Sequence, residues 1–403
     1  DDYGRAIDFP SEFTVFLSEL GRALKSFRES SDTLGSASYG QDGFPSDELE
    51  FVYWDASNTA REAYRKSIEG FLSGNRTAVS AKDLSHILSD MIVKVEYGVA
   101  KAVHTGGGLS PAYFRYEATA YRILKPTIVS VPPQTTRVVV TAFKVHNLPF
   151  FLEGPVRHLK IIKSTAGKRD TYQRVRASKM YDAAMEQFYV CESLTGMRQD
   201  LGRMVAFSPG WLENQSIWLH MSYKFYLELL RGGLYSEFFA EIQTGLVPFM
   251  DNEVYGRSPL EASSFVVSSA FPDAKLHGSG FQARLSGSTA EFMSMYLIIT
   301  AGERPFQLDK AGELYLEFKP VIPEWLWTEE GTLSFTFLSS TNVTYFVPQR
   351  VDSWTLGSPK ATSLRKKNAD VNADDVVISG GIVPSKHAKA VRQGLVKSIR
   401  IRY

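Results

Sequence analysis

The segment SPGWLENQSIWLH, residues 208–220, is answered further along the chain by LSGSTAEF, residues 285–292. The first runs from a Pro-Gly turn through the polar pair Glu213-Asn214 to His220. Ile217, Trp218, Met221, Phe225 and Leu229 recur at helical spacing around that histidine and predict a helix over 214–231. The second segment is a hydroxyl-rich turn leading into a predicted helix at about 288–300. A helix start offers unpaired N–H groups and the positive end of its dipole to an anion. Imidazole donates a hydrogen bond to phosphate in either charge state. Gly287 lets a ligand approach the backbone, Ser286, Ser288 and Thr289 add hydroxyls, and Arg284 adds a fork of donors. Trp211 and Glu213 supply a ring face and a carboxylate of the kind that hold a sugar. Each segment also has a plainer reading: His220 as a packed core residue, Ser-Gly-Ser-Thr as an ordinary helix N-cap.

Composition is compatible with a site for phosphate beside carbohydrate and narrows the alternatives. The 403 residues can bury a large core and allow two or three domains. A net charge of +1 gives no general electrostatic case for nucleic acid or an anionic membrane. The 26 Phe, 19 Tyr and 6 Trp mostly supply core, and a surplus of Trp and Tyr also suits the walls of a sugar cleft. A single cysteine, Cys191, excludes an intramolecular disulfide and a Cys-rich metal site, and reads as a buried, inert thiol. No Walker A, GxGxxG, zinc-spaced or nucleophile-elbow motif occurs, so neither a metal nor an organic cofactor is expected. No apolar run approaches the ~20 residues that span a bilayer. No secretory signal opens the sequence, which suits a cytoplasmic or organelle-lumen enzyme. On that footing the triplets at Asn75, Asn214 and Asn342 are chance glycosylation matches.

Periodicity predicts helices over 11–27, 56–72 and 81–103, the last stopped by Gly106-Gly107-Gly108. From Tyr113 to about Ile162 the text turns strand-like, in YFRYEATAYRIL, RVVVTAFKV and VRHLKII. Helices are expected again at 178–192, 214–231 and 234–246. An irregular stretch over 247–287 follows, rich in Ser and holding Arg257, Glu261 and His277; such loops are usually functional. Beyond Gly302 the pattern is β to the end, with 356–375 a polar loop. The fold class expected is mainly α with a β lobe: a helical body over 1–302 with a β excursion at about 113–163, then an all-β domain over 303–403. Two smaller clusters stand aside from the main site. Glu153 and Arg157 read as a turn with either an ordinary ion pair or a ligand role, and Pro320–Trp327 reads as packing between the two domains.

SPGWLENQSIWLH resembles the Pro-Gly-x-x-Glu-Asn…His signature of the cellobiose phosphorylase family of inverting glycoside phosphorylases. LSGSTAEF resembles that family's Thr-Gly-Ser-Ala turn, and FKPVIPEWLW its Asp-Pro-x-Ile-Pro-x-x-Trp segment. The order and rough spacing of the three agree, and the fuller text is similar to the long relatives that include β-1,3-glucan phosphorylases. The resemblance implies the C-terminal part of an (α/α)6-barrel followed by a β-sandwich, jelly-roll-like domain. It implies reversible phosphorolysis of β-linked gluco-oligosaccharides, with inorganic phosphate as co-substrate and α-glucose 1-phosphate as product. Carried over by position, His220, Ser286 and Gly287 match phosphate contacts, with Arg284 beside them. Glu213 matches a carboxylate near the acceptor sugar, flanked by Trp211 and Asn214. Leu212 stands where the family has a basic residue, and Ser286 where it has Thr. The family's general acid lies in a Trp-Asn-Asp motif before a helix like that at 11–27, which makes Asp2 the candidate with Asp8 behind it, or places the acid upstream. The resemblance further implies the N-terminal part of the same enzyme, or a second copy in a dimer, as partner. Two other readings stay open: an inverting hydrolase, and a non-catalytic carbohydrate-binding or structural subunit.

Overall fold

Ser11 starts the first long helix because Phe13, Phe16, Leu17, Leu20, Leu24 and Phe27 repeat at three- and four-residue steps, which lines one face with apolar side chains. The computed structural model describes residues 4–33, 44, 46–124, 138–258, 263–282, 286–368 and 374–403. Asp2 and Arg284 lie outside the described residues. The described residues contain both helices and small sheets, a mixed α and β class. The chain divides into two compact units, Asp1–His158 and Leu159–Tyr403, so the expected boundary near 302 lies inside the second unit.

In the first unit, β1 (Ala6–Pro10) leads into α1 (Ser11–Thr33), then α2 (Asp47–Ser67), β2 (Arg76–Ser80) and α3 (Ala81–Thr105). β1 and β2 pair antiparallel, Ala6 opposite Ser80. Ser46 and Ser80 cap α2 and α3 through their side chains. Leu17, Leu24 and Phe27 of α1 are buried. Phe27 meets Tyr53 and Tyr97 edge-on, and Lys94 lies 4.6 Å over its ring while pairing with Glu50 at 3.1 Å. β3 (Phe114–Ile123) and β4 (Val138–Asn147) form an antiparallel hairpin that packs on α2 through Phe143, Phe51 and Trp54.

The third expected strand of this region, VRHLKII, is instead the body of α4 (Glu153–Ile161). Leu152, Val156 and Leu159 are all buried at helical spacing, Pro155 sits in the first turn where it costs no hydrogen bond, and Glu153 pairs with Arg157 one turn on at 2.6 Å. The Glu153–Arg157 cluster is therefore an i,i+4 helix pair. The division between the two units falls within α4.

After the last residues of α4 the second unit continues with α5 (Thr165–Ala177), which periodicity does not predict, capped by Ser164 and buried through Tyr172 and Val175. The helix expected over 178–192 is absent. Ser178 ends α5, and the segment folds into a short hairpin of β5 (Tyr181–Asp182) and β6 (Gln187–Phe188). Asp182 accepts hydrogen bonds from the amides of Ala184 and Met185, a turn geometry that removes those donors from any helix. β7 (Ile217–Trp218) then precedes α6 (Leu219–Arg231), α7 (Tyr235–Gly245) and α8 (Asn252–Tyr255). The chain continues through β8 (Phe265–Val266), β9 (Gly280–Phe281) and α9 (Ser286–Ala301). α6 is buried almost all round, from Met221 through Tyr223, Phe225 and Tyr226 to Leu230, and packs between α7 and α9. β7, β8 and β9 form a three-stranded antiparallel sheet.

The β lobe holds β10 (Phe306–Leu308), β11 (Leu314–Glu317), β12 (Thr332–Phe337), β13 (Thr341–Phe346) and β14 (Ala361–Lys366). β15 (Val376–Ser379), β16 (Ile382–Val383), α10 (Ser385–Arg392) and β17 (Val396–Arg402) complete it. Its sheets run β10-β11-β16 and β12-β13-β17-β14-β15. They share one core of Leu316, Phe335, Val343, Tyr345, Ile399 and Ile401, to which α10 adds Ala388 and Val391. β13 and β17 pair parallel, which the antiparallel sheets of a jelly roll do not contain. β14 lies within the stretch read from sequence as a loop; its buried Thr362 and Leu364 alternate with outward Ser363 and Arg365. The lobe is continuous with α9: Ala301 belongs to its core, and the Tyr345 hydroxyl donates to Thr300 O at 2.6 Å.

Candidate functional site

α6 starts at Leu219, five residues later than its apolar spacing implies, because residues 208–216 are held as a folded turn. Gly210 N donates to Asn214 O at 2.8 Å, and the Ser216 hydroxyl donates to Leu212 O. Gly210, Leu212 and Gln215 all have positive φ, of 80°, 50° and 52°. For Leu212 and Gln215 this is a strained conformation that the surroundings must hold in place. Gly210 is required by a close approach: a Cβ there would fall within 2.7 Å of the N, Cα and Cβ of Phe271.

Asn214 does much of the holding. It is buried, its Nδ2 donates to Phe207 O at 2.8 Å, and its Oδ1 accepts from Leu194 N at 3.2 Å. The structure thus turns this predicted sugar ligand inward, onto the backbone of its own loop. Glu213 faces outward instead: its side chain is 32% exposed and pairs with Arg203 at 3.2 Å. Cys191 donates from Sγ to Glu213 O at 3.3 Å beneath the same turn. It is buried but lies in extended chain after β6 rather than on a helix, and burial pushes its thiol up to about 11.

The late start puts His220 in the first turn of α6. Its ring lies against Gly287, at the start of α9: a Cβ on that glycine would come within 2.5 Å of Nε2, Cε1 and Cδ2. Only a residue without a side chain lets the imidazole and this helix start meet. His220 is partly exposed, and the Trp218 ring stands at 90° to it with centroids 5.8 Å apart. From Trp218 a ladder of rings crosses the small sheet. Trp218 stacks on Phe265 at 5.8 Å, Phe265 on Phe281 at 5.5 Å, and Phe281 on Trp211 at 3.9 Å with planes 5° apart. The cross-strand register, Trp218 opposite Phe265 and Phe265 opposite Phe281, aligns these rings on one face. Phe271 tilts against Trp211 at 5.6 Å.

Of the residues singled out from sequence, the fold brings His220 and Gly287 into contact and sets Ser286 at the head of the same helix. Ring stacking joins Trp211 to that pair, and Glu213 shares the Trp211 turn. Sequence reading missed Phe265, Phe281 and Phe271, although all three fall in the irregular stretch it marked as functional. Asp182 carries no sequence signal of its own, because its Asp-Ala-Ala-Met turn lies inside the predicted helix over 178–192. In Pro320–Trp327 it is Trp325 that meets the helical body, edge-on to Phe239 of α7 and to Phe249, whereas Trp327 belongs to the core of the β lobe and donates from its indole to Val351 O at 2.8 Å. No described group of three or more His, Cys, Asp or Glu side chains is placed to hold a metal, and no described helix is long and apolar enough to cross a membrane. No protein-family model matches the chain, and no curated protein matches it.

Proposed function

We propose that the second unit carries the phosphate and acceptor-sugar side of the active site of an inverting glycoside phosphorylase acting on β-linked gluco-oligosaccharides, β-1,3-glucan oligosaccharides above all. The observation that carries this reading is the contact between His220 and Gly287, which joins the two segments whose chemistry is that of oxyanion binding. The first turn of α9 offers N–H groups and its positive dipole end, and His220 offers an imidazole donor beside them. Together they would neutralise inorganic phosphate as it attacks the anomeric carbon from the face opposite the leaving sugar. Phosphate is already a nucleophile, so the reaction needs one acid on the glycosidic oxygen and no second carboxylate to activate water. The Trp211 ring, braced by Phe281, supplies a flat face for the acceptor sugar, and Glu213 an adjacent carboxylate for its hydroxyls. α6, α7 and α9 would then belong to the wall of an (α/α)6-barrel, with the two-sheet lobe as the β-sandwich domain that closes it.

The experiment is phosphorolysis by the full-length protein, with a β-1,3-linked glucose trisaccharide and inorganic phosphate. Glucose 1-phosphate should form, and His220→Ala should lower its rate by about 10²-fold or more while the protein stays folded. Full activity in that variant removes His220 from the phosphate site.

A further inference from the structure

Asp182 is a buried carboxylate, 2% exposed, that the reading above does not use. It lies at the tip of the β5–β6 hairpin, remote in sequence from both site segments. Its Oδ1 accepts from the Ser269 hydroxyl at 2.6 Å and from the amides of Ala184 and Met185 at 3.2 and 3.3 Å. Its Oδ2 accepts from Ser269 N at 2.9 Å. Among the described residues no cation pairs with it, and its partners there are one hydroxyl and three backbone amides. An arrangement of this kind fixes geometry closely, because losing any donor leaves a desolvated anion.

What Asp182 grips is the segment that shapes the sugar platform. Ser268, next to the clamped Ser269, donates from its hydroxyl to Gln215 O at 2.5 Å and from its amide to Gly210 O at 3.4 Å. Two residues beyond Ser269, Phe271 covers Gly210 and leans on Trp211. The carboxylate thus ties the hairpin to the 268–271 loop, and Ser268 ties that loop to the strained 208–216 turn. The Tyr189 hydroxyl, 3.2 Å from Ser269 Oγ, completes the cluster.

We propose that Asp182 is a positioning residue that sets the place of Trp211, and so the affinity for the acceptor sugar, without touching phosphate. The proposal rests on the assignment of Trp211 to a sugar subsite and is tested apart from the chemistry. Calorimetry with the full-length protein and a β-1,3-linked glucose trisaccharide, without phosphate, compares wild type with Asp182→Asn and Ser269→Ala. The second variant removes one hydroxyl donor and leaves the carboxylate in place, which covers failure of the first to fold. Both should weaken trisaccharide binding, Asp182→Asn by about tenfold or more and Ser269→Ala by less. In steady-state phosphorolysis the KM for trisaccharide should rise with the KM for phosphate unchanged. A general structural defect would instead lower kcat and the melting temperature with both KM values intact, and that result overturns the proposal, as does unchanged trisaccharide affinity in both variants. If the wild type binds trisaccharide and forms no glucose 1-phosphate, the phosphorylase reading falls while loss of binding in the variants still supports the positioning role.

Discussion

Replacing Gly287 by alanine adds one methyl group at the contact on which the functional reading turns. That carbon would lie 2.2 Å from Nε2 of His220 and within 2.5 Å of two further ring atoms, against an ordinary contact distance of 3.4 Å, so the ring or the helix start must move by about 1.2 Å. The ring has little freedom to comply: it sits on the first turn of a buried helix, with Trp218 standing edge-on to it. Overpacking of this kind costs about 1–3 kcal/mol, which in a unit of this size lowers the melting temperature by roughly 2–10 °C. The functional effect should exceed the loss of stability, since misplacing a binding group by ~1 Å costs about 10²-fold in rate. The assay is glucose 1-phosphate release at varied phosphate, with calorimetric melting in parallel. Gly98→Ala serves as control, because Gly98 lies on exposed α3 with open space around it. Gly287→Ala should lose about 10²-fold in kcat/KM for phosphate, and Gly98→Ala should match wild type. A Gly287→Ala protein with wild-type melting and wild-type kinetics would mean that the imidazole does not lie against the start of α9.

Three further outcomes follow from the same geometry. Asn214→Ala leaves Leu194 N and Phe207 O without their partners and should lower stability by about 2–4 kcal/mol, seen as a fall in the denaturant midpoint; an unchanged midpoint contradicts the inward-facing carboxamide. With its thiol pushed up to about 11, Cys191 is about one part in a thousand thiolate at pH 8, so iodoacetamide should label the native protein far more slowly than the unfolded one, and equal rates would refute its burial. Glu241, buried and accepting from the Tyr172 hydroxyl at 2.5 Å, is raised above its ordinary 4.5, chiefly by burial. The folded state therefore holds this proton longer than the unfolded state, and stability from the group is full below pH 4.5 and lost as pH rises through the raised value. Glu241→Gln keeps an acceptor for Tyr172, so its melting temperature relative to wild type should climb from pH 4 to pH 7; a flat or falling difference contradicts the sign.

Sequence spacing located most of the long helices because each has a wide apolar face, and it located most strands of the β lobe because buried and outward residues alternate there. It failed where side chains bind the local backbone. Asp182 turned an apparent helix into a hairpin, and the Asn214 clamp delayed α6 by five residues. Val156 and Leu159 of α4 gave a strand-like text that the Glu153–Arg157 pair and the Leu152 face resolve as helix. At the site, His220 and Gly287 were legible as chemistry from their neighbours in sequence. Their contact was not, because it depends on how α6 packs on α9. The ring ladder was hidden for a related reason: Phe265 and Phe281 acquire a role only through the register of a sheet whose strands are two residues long.

The most direct test of the central claim is the product formed from a β-1,3-linked glucose trisaccharide by the full-length protein, with and without inorganic phosphate. α-Glucose 1-phosphate and a disaccharide should form when phosphate is present, no cleavage should occur when it is absent, and His220→Ala should lose the reaction. Free glucose released without phosphate, or glucose 1-phosphate formed at the wild-type rate by His220→Ala, would contradict that claim.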